Sequence, residues 1–123
     1  MAISDNFEFI DIFEEKLCDF TGFKHAVTVD CCTNAILLSL DAKLMFNEIS
    51  KADVLHVPAW TYMSVPMTLK LNGWSICLDE NQWNEKYSIE ANGHSIEVFD
   101  CAVCFFEGMA REFNDSSMAC ISF

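Results

Sequence analysis

Positively charged residues are scarce in this chain of 123 residues. Seven Lys and Arg stand against 19 Asp and Glu, which gives a formal net charge of −12. Nucleic acids and anionic membranes attract proteins through positive charge, so we expect neither as a partner. Arg111 is the single arginine. The chain therefore has almost no capacity for bidentate arginine contacts to a phosphate or carboxylate.

Signals for membrane insertion and secretion are also lacking. No stretch approaches the ~20 consecutive apolar residues of a membrane helix, and the first residues lack the basic and apolar regions of a signal peptide. The seven cysteines are an odd number, and most lie in apolar runs, which is typical of reduced thiols in a core. We therefore expect a cytoplasmic protein.

Apolar residues, in contrast, make up 52% of the chain. They supply enough surface to offset the entropy of ordering it, and the length predicts a single domain over residues 1–123. Helical spacing of apolar residues predicts helices at Asp5–Phe20, 33–46, 64–72 and 102–113. Short apolar runs predict strands at His25–Val29, Val54–Val57, Trp74–Leu78, Ile96–Phe99 and Met118–Phe123, with a loop over residues 79–95. This alternation favours an α/β fold with a parallel sheet covered on both faces.

Ligands of parallel α/β sheets gather at the carboxyl ends of the strands. Thr33 at a predicted helix N-terminus could seat a phosphate, Tyr62 could stack on a planar ring, and Asp100 could pair with a ring nitrogen. Each residue also has an ordinary interpretation, because Thr33 could be a helix cap, Tyr62 core packing and Asp100 a cap of the next helix.

Four segments, in this order, resemble the DegT/DnrJ/StrS family of pyridoxal-phosphate-dependent nucleotide-sugar aminotransferases. They are FEEKLCDFTGFKHAVTVDCCTNAILLSL, ADVLHVPAWTYMSVPMTLKLNGWSICLDEN, IEVFDCA and the terminal ISF. The resemblance implies that Thr33 and the backbone of Cys32 lie against the cofactor phosphate and that Tyr62 stacks on the pyridine ring. It also implies that Asp100 bonds the pyridine nitrogen, keeping the ring an electron sink, and that Ser122 adds a phosphate contact.

The same resemblance implies a reduced fold-type I aminotransferase large domain. We expect a three-layer sandwich around a mostly parallel five-stranded sheet in the order 3-2-4-5-1, with strands numbered along the chain. Uncovered parallel edges associate, and the family builds its sites at a dimer interface. We therefore expect a homodimer, or a partner chain that covers the sheet edges.

Departures from the family pattern bear on activity. Val103 stands where the family has Gln or His, and a stretch that the family carries between Ile89 and Ile96 is missing. The Schiff-base lysine would follow directly after Phe123, and none of the six lysines occupies its place: Lys16, Lys24, Lys43, Lys51, Lys70 and Lys86. Without that amine there is no base for transamination. A terminal carboxylate beside Ser122 and the net charge disfavour a phosphate further.

We therefore expect an aminotransferase homologue that has no catalytic residue, is inactive alone and binds pyridoxal phosphate weakly or not at all. One alternative is a part of a split or truncated enzyme whose lysine comes from another chain. Another alternative is a non-catalytic binding or structural module.

A cysteine-based metal or redox site is a further alternative. It would combine Cys101-x-x-Cys104 with Cys31 and Cys32, and against it stands the interpretation that these are core cysteines. His25 and His56 are expected to be core or strand-end residues, and Asp79 a solvated strand end. We assign no metal ligands from the sequence.

Overall fold

The computed structural model describes residues 3–80 and 83–123, which form two compact units. No helix in these two ranges is both long and apolar enough to cross a membrane. The predicted homodimer and the prediction of one domain over residues 1–123 stay predictions.

The first unit contains the chain up to Val29 together with Phe105–Asp115. Helix α1 spans Ile3–Thr21, in agreement with the predicted helix. It ends at Gly22, whose left-handed backbone (φ 82°) lets its N–H donate to the Cys18 carbonyl at 2.8 Å. The later segment packs on this end of α1, where the Gly108 N–H donates to the Phe20 carbonyl at 2.8 Å. The Phe20 and Phe105 ring centroids lie 5.0 Å apart.

Two predictions for this unit are wrong. Residues 25–29 form no strand, because the Thr28 N–H donates to the Glu14 carboxylate at 2.6 Å instead of a sheet neighbour, and Val27 is 74% exposed. The helix predicted over residues 102–113 is reduced to a single 3₁₀ turn, Met109–Glu112.

The second unit contains Asp30–Cys104 and Ser116–Phe123. In chain order its elements are α2 (Cys32–Met45), β1 (Val54–Pro58), α3 (Ser64–Leu71), β2 (Ser75–Asp79), β3 (Tyr87–Ala91), β4 (His94–Cys101) and β5 (Met118–Ile121). Every element of this unit except β3 was predicted, with boundaries that differ by a few residues. The α/β class is confirmed.

The five strands of the described chain form one sheet in the order β2-β1-β3-β4-β5. β1 pairs with β2, and β4 with β5, in parallel, whereas β3 is antiparallel to both β1 and β4. The predicted mostly parallel sheet in the order 3-2-4-5-1 is therefore wrong. The reason is that β3 takes a central position, while residues 25–29, the predicted first strand, supply no strand.

β3 lies inside the segment predicted to be a loop. Asn92 and Gly93 both have positive φ (54° and 77°) and join β3 to β4 in a tight hairpin. An Asn-Gly pair between alternating apolar residues is a strong hairpin signal, because a type I′ turn needs positive φ at both positions.

Helices α2 and α3 pack against each other and against the sheet. They therefore cover one face of it, and their buried side chains meet those of the strands. The fully buried members of this core are Ile36, Leu40, Leu55, Val57, Leu69, Ile89 and Val98. The second unit thus accounts for two of the three predicted layers, and the third layer stays a prediction.

A buried lysine lies in the last turn of α2. Lys43 is 2% exposed, and its Nζ lies 2.7 Å from Glu48 Oε2 and donates to the Ser116 carbonyl at 3.3 Å. We expect Glu48→Gln to lower the free energy of unfolding by about 1–3 kcal/mol, because it leaves the buried Lys43 ammonium without its counter-charge. The loss is smaller than for a fully buried ion pair, because the Glu48 side chain is partly hydrated.

Urea denaturation measures this change, and two variants serve as controls. Lys43→Met removes the charge and keeps the volume, so we expect a smaller loss than for Glu48→Gln. Asp115→Asn breaks the exposed ion pair with Lys24 (3.2 Å) and should change stability by no measurable amount. A Glu48→Gln protein as stable as the Asp115→Asn protein would contradict the prediction.

Candidate functional site

Four strands of the sheet end at the same edge. Two antiparallel steps, β1 to β3 and β3 to β4, restore the strand direction, so β1, β2, β4 and β5 all point the same way. The N-terminus of α2 lies at this edge, since the Cys32 thiol donates to the Cys120 carbonyl at 3.3 Å. This is the edge at which the sequence predicts a ligand site.

Asp100 is the centre of a buried polar cluster at this edge. Its side chain sits near the end of β4 and only 5% of the residue is exposed. The Oδ1 atom accepts a hydrogen bond from the Ala102 N–H at 3.0 Å and lies 4.0 Å from the Cys32 Sγ. Tyr87 is its register partner on β3, and the negative charge of Asp100 acts on the Tyr87 phenol. The carboxylate is therefore buried, bonded to the Ala102 N–H and flanked by Cys32 and Tyr87.

Tyr87 links Asp100 to the loop after β1. Its phenol OH lies 2.7 Å from Thr61 Oγ1, and the residue is buried. Burial raises the pKa of the Tyr87 phenol, the hydrogen bond with Thr61 opposes the rise, and the negative charge of Asp100 adds to it. The phenol thus stays neutral and keeps its proton for hydrogen bonding.

The cysteines around Asp100 are protonated thiols. Burial, helped by the charges of Asp100 and Cys120, raises the pKa of Cys32 to about 12. Burial also raises the pKa of Cys101 to about 12 and that of Cys120 to about 11. Thiols with such values are poor nucleophiles at neutral pH, because the reactive form is the thiolate.

Thr33 joins the starts of the two sheet-covering helices. Its Oγ1 lies 2.7 Å from the Oγ of Ser64, the first residue of α3. The N-cap position of α2 is Cys31, which makes no side-chain capping bond. The interpretation of Thr33 as the helix cap is therefore wrong. Its hydroxyl forms a hydrogen bond with Ser64 instead.

The other two predicted site residues are exposed to solvent. Tyr62 is 77% exposed and Ser122 is exposed as well. The structure thus brings together Cys32, Thr33 and Asp100 at one edge, and it leaves Tyr62 and Ser122 on the surface. Sequence reasoning missed Tyr87, because the Asn-Gly turn alone would pair it with Val98, and only the register shift between Ser88 and Glu90 places it opposite Asp100.

The four cysteines of the predicted metal or redox constellation form no ligand cluster. Cys101 and Cys104 are buried, whereas Cys31 is exposed. Within residues 3–80 and 83–123, three potential metal ligands converge elsewhere, at His56, Cys77 and Asp79. The interpretation of Cys101 and Cys104 as buried core cysteines is confirmed.

A family model matches a large part of the chain. Searches of curated proteins and of solved structures found nothing similar. The model of the DegT/DnrJ/EryC1/StrS aminotransferase family matches residues 3–85 of the 123-residue chain, from α1 through β2. Cys32, Thr33 and Tyr62 lie within the match, and Asp100 and Ser122 lie beyond it. Since the match covers more than half of the chain, this protein belongs to the DegT/DnrJ/EryC1/StrS aminotransferase family.

Proposed function

We propose that this chain is a non-catalytic aminotransferase homologue, built on a reduced fold-type I large domain, that binds pyridoxal phosphate weakly or not at all. The observation that carries the proposal is the state of Asp100. The family resemblance assigns its carboxylate to the pyridine nitrogen of the cofactor, yet here the carboxylate is buried, accepts a hydrogen bond from the Ala102 N–H, and lies against Cys32 and opposite Tyr87.

A cofactor ring could reach Asp100 only by displacing some of these groups. Tyr87 would have to leave a buried position and give up its hydrogen bond with Thr61. Breaking such a bond and leaving a buried partner unsatisfied costs about 1–3 kcal/mol for each group. The cofactor would bind only if the interaction between its pyridine nitrogen and Asp100 were stronger than that cost.

The remaining assigned contacts fit the cofactor no better. The Thr33 hydroxyl bonds Ser64, and Val103, where the family has Gln or His, has no polar group to offer. The net charge of −12 also opposes a phosphate ester. The residues present therefore do not fit pyridoxal phosphate as they are arranged.

Cofactor titration followed by borohydride reduction tests the proposal. We expect the absorbance of pyridoxal phosphate to change without saturation as the protein is added. After reduction, mass spectrometry should find low labelling spread over several lysines, with the same distribution in the urea-unfolded chain. The reason is that no amine is held next to a bound cofactor.

A saturable spectral change, with one lysine labelled stoichiometrically in the folded chain only, would overturn the proposal. Tyr87→Ala provides an internal check, because it frees one side of the Asp100 carboxylate. Any cofactor binding gained in that variant should be lost again when Asp100→Asn is added.

A further inference from the structure

A second group of polar side chains lies on the other face of the sheet, away from α3. Leu55 and Val57 of β1 point into the core with α3, so His56 between them points to the opposite face. The parallel register places Cys77 of β2 beside His56. Asp79 follows two residues later and shares the face of Cys77.

The ligand atoms of these three side chains converge. His56 Nδ1 lies 3.1 Å from Asp79 Oδ1, and Cys77 Sγ lies 3.8 Å from the same oxygen. All three ligand atoms lie within 4.8 Å of one another. Tetrahedral zinc, with bonds of about 2.0 Å to nitrogen and oxygen and about 2.3 Å to sulfur, needs ligand atoms separated by roughly 3.3–3.7 Å. The observed separations match this requirement within a small rotation of the side chains.

The donor set selects the class of ion. A thiolate and an imidazole are ligands that suit zinc. They suit calcium and magnesium poorly, because these hard cations require oxygen ligands. One carboxylate completes a set of three protein ligands, the number found in zinc sites that keep a fourth position open. The site is also accessible, since the side chains of His56 and Asp79 are 34% and 29% exposed.

We propose that His56, Cys77 and Asp79 form a site for Zn²⁺ or a similar divalent transition metal. The ion joins β1 to β2, which is an edge strand of the sheet. The register of β1 and β3 places Glu90 opposite His56 on the same face, and its carboxylate is a candidate for the fourth position. This site is independent of the pyridoxal phosphate question, because none of its residues belongs to the Asp100 cluster.

Cobalt titration of the reduced chain of 123 residues tests the site. Co²⁺ replaces Zn²⁺ in such sites and reports thiolate ligation by its charge-transfer absorption. We expect one equivalent of Co²⁺ to bind with a sulfur-to-cobalt band, and Zn²⁺ to displace it. Cys77→Ala should remove the band and weaken binding at least tenfold, because even outer-shell partners of a metal typically contribute tenfold or more. The matched control is Cys31→Ala, which removes an exposed thiol of the same unit and should leave both the band and the affinity unchanged.

Asp79→Asn retains the size of the side chain and covers the case in which Cys77→Ala does not fold. It should weaken Co²⁺ binding at least tenfold while retaining the sulfur-to-cobalt band at saturation. The proposal is wrong if the folded wild-type chain binds no stoichiometric Co²⁺. It is also wrong if the band survives in Cys77→Ala or disappears in Cys31→Ala.

Discussion

Replacing Ile89 by alanine is expected to lower the free energy of unfolding by about 2–5 kcal/mol, the range typical of large-to-small changes in a core. Ile89 is fully buried, in the middle of β3 and against the side chains of the central core. The substitution removes three carbon atoms from a position that the surrounding helices and strands cannot fill without moving. Urea denaturation followed by circular dichroism measures the loss.

Val27→Ala is the matched control for this experiment. Val27 lies in the apolar run that predicted a strand, but it is 74% exposed and belongs to no strand. We expect no measurable change in stability for this variant. A larger loss for Val27→Ala than for Ile89→Ala would mean that the sheet contains residues 25–29 rather than β3.

Alkaline pH is expected to destabilise the folded chain steeply. Burial raises the pKa of Cys101 from 9.0 to about 12 and that of Cys120 to about 11, and the half-buried Cys32 shifts in the same direction. Between pH 9 and these values the unfolded chain has lost the thiol protons and the folded chain keeps them. Stability is therefore complete below pH 9 and falls as the pH rises toward 12, by up to roughly 1.4 kcal/mol per pH unit for each fully buried thiol.

Stability measured by urea denaturation at several pH values between 7 and 11 checks this prediction. Cys101→Ala removes one of the buried thiols, so its stability should fall less steeply above pH 9. Cys31→Ala removes an exposed thiol and should show the slope of the unmodified chain. Equal slopes in all three proteins would show that the buried thiols do not govern the alkaline transition.

Much of the fold could be predicted from local patterns, and the errors have identifiable causes. Helical spacing located α1 and α2, and apolar runs located β1 and β2. His25–Val29 shows that a short, largely apolar run forms a strand only if a neighbour is available to pair with it. β3 carried the opposite signal, since Tyr87, Ile89 and Ala91 alternate with polar residues and face the core, and the following Asn-Gly pair specified the turn.

The candidate sites were predictable to different degrees. Cys32, Thr33 and Asp100 were placed at one edge, because strand ends and a helix start meet there in any α/β sheet. Tyr87 depends on the register of the hairpin and was missed with it. His56 and Cys77 are 21 positions apart and become neighbours only through the parallel register of β1 and β2, which no local pattern specifies.

The hairpin also has a consequence for how the chain assembles. β3 and β4 are joined by the two residues Asn92 and Gly93, whereas β1 and β2 are separated by residues 59–74, and β4 and β5 by residues 102–117. Loop-closure entropy grows by about 0.6 kcal/mol with each doubling of length, so each parallel pair costs about 2 kcal/mol more to close than the hairpin. The β3–β4 hairpin is therefore the least costly pair of the sheet to form. It brings Tyr87 opposite Asp100 before the parallel pairs form.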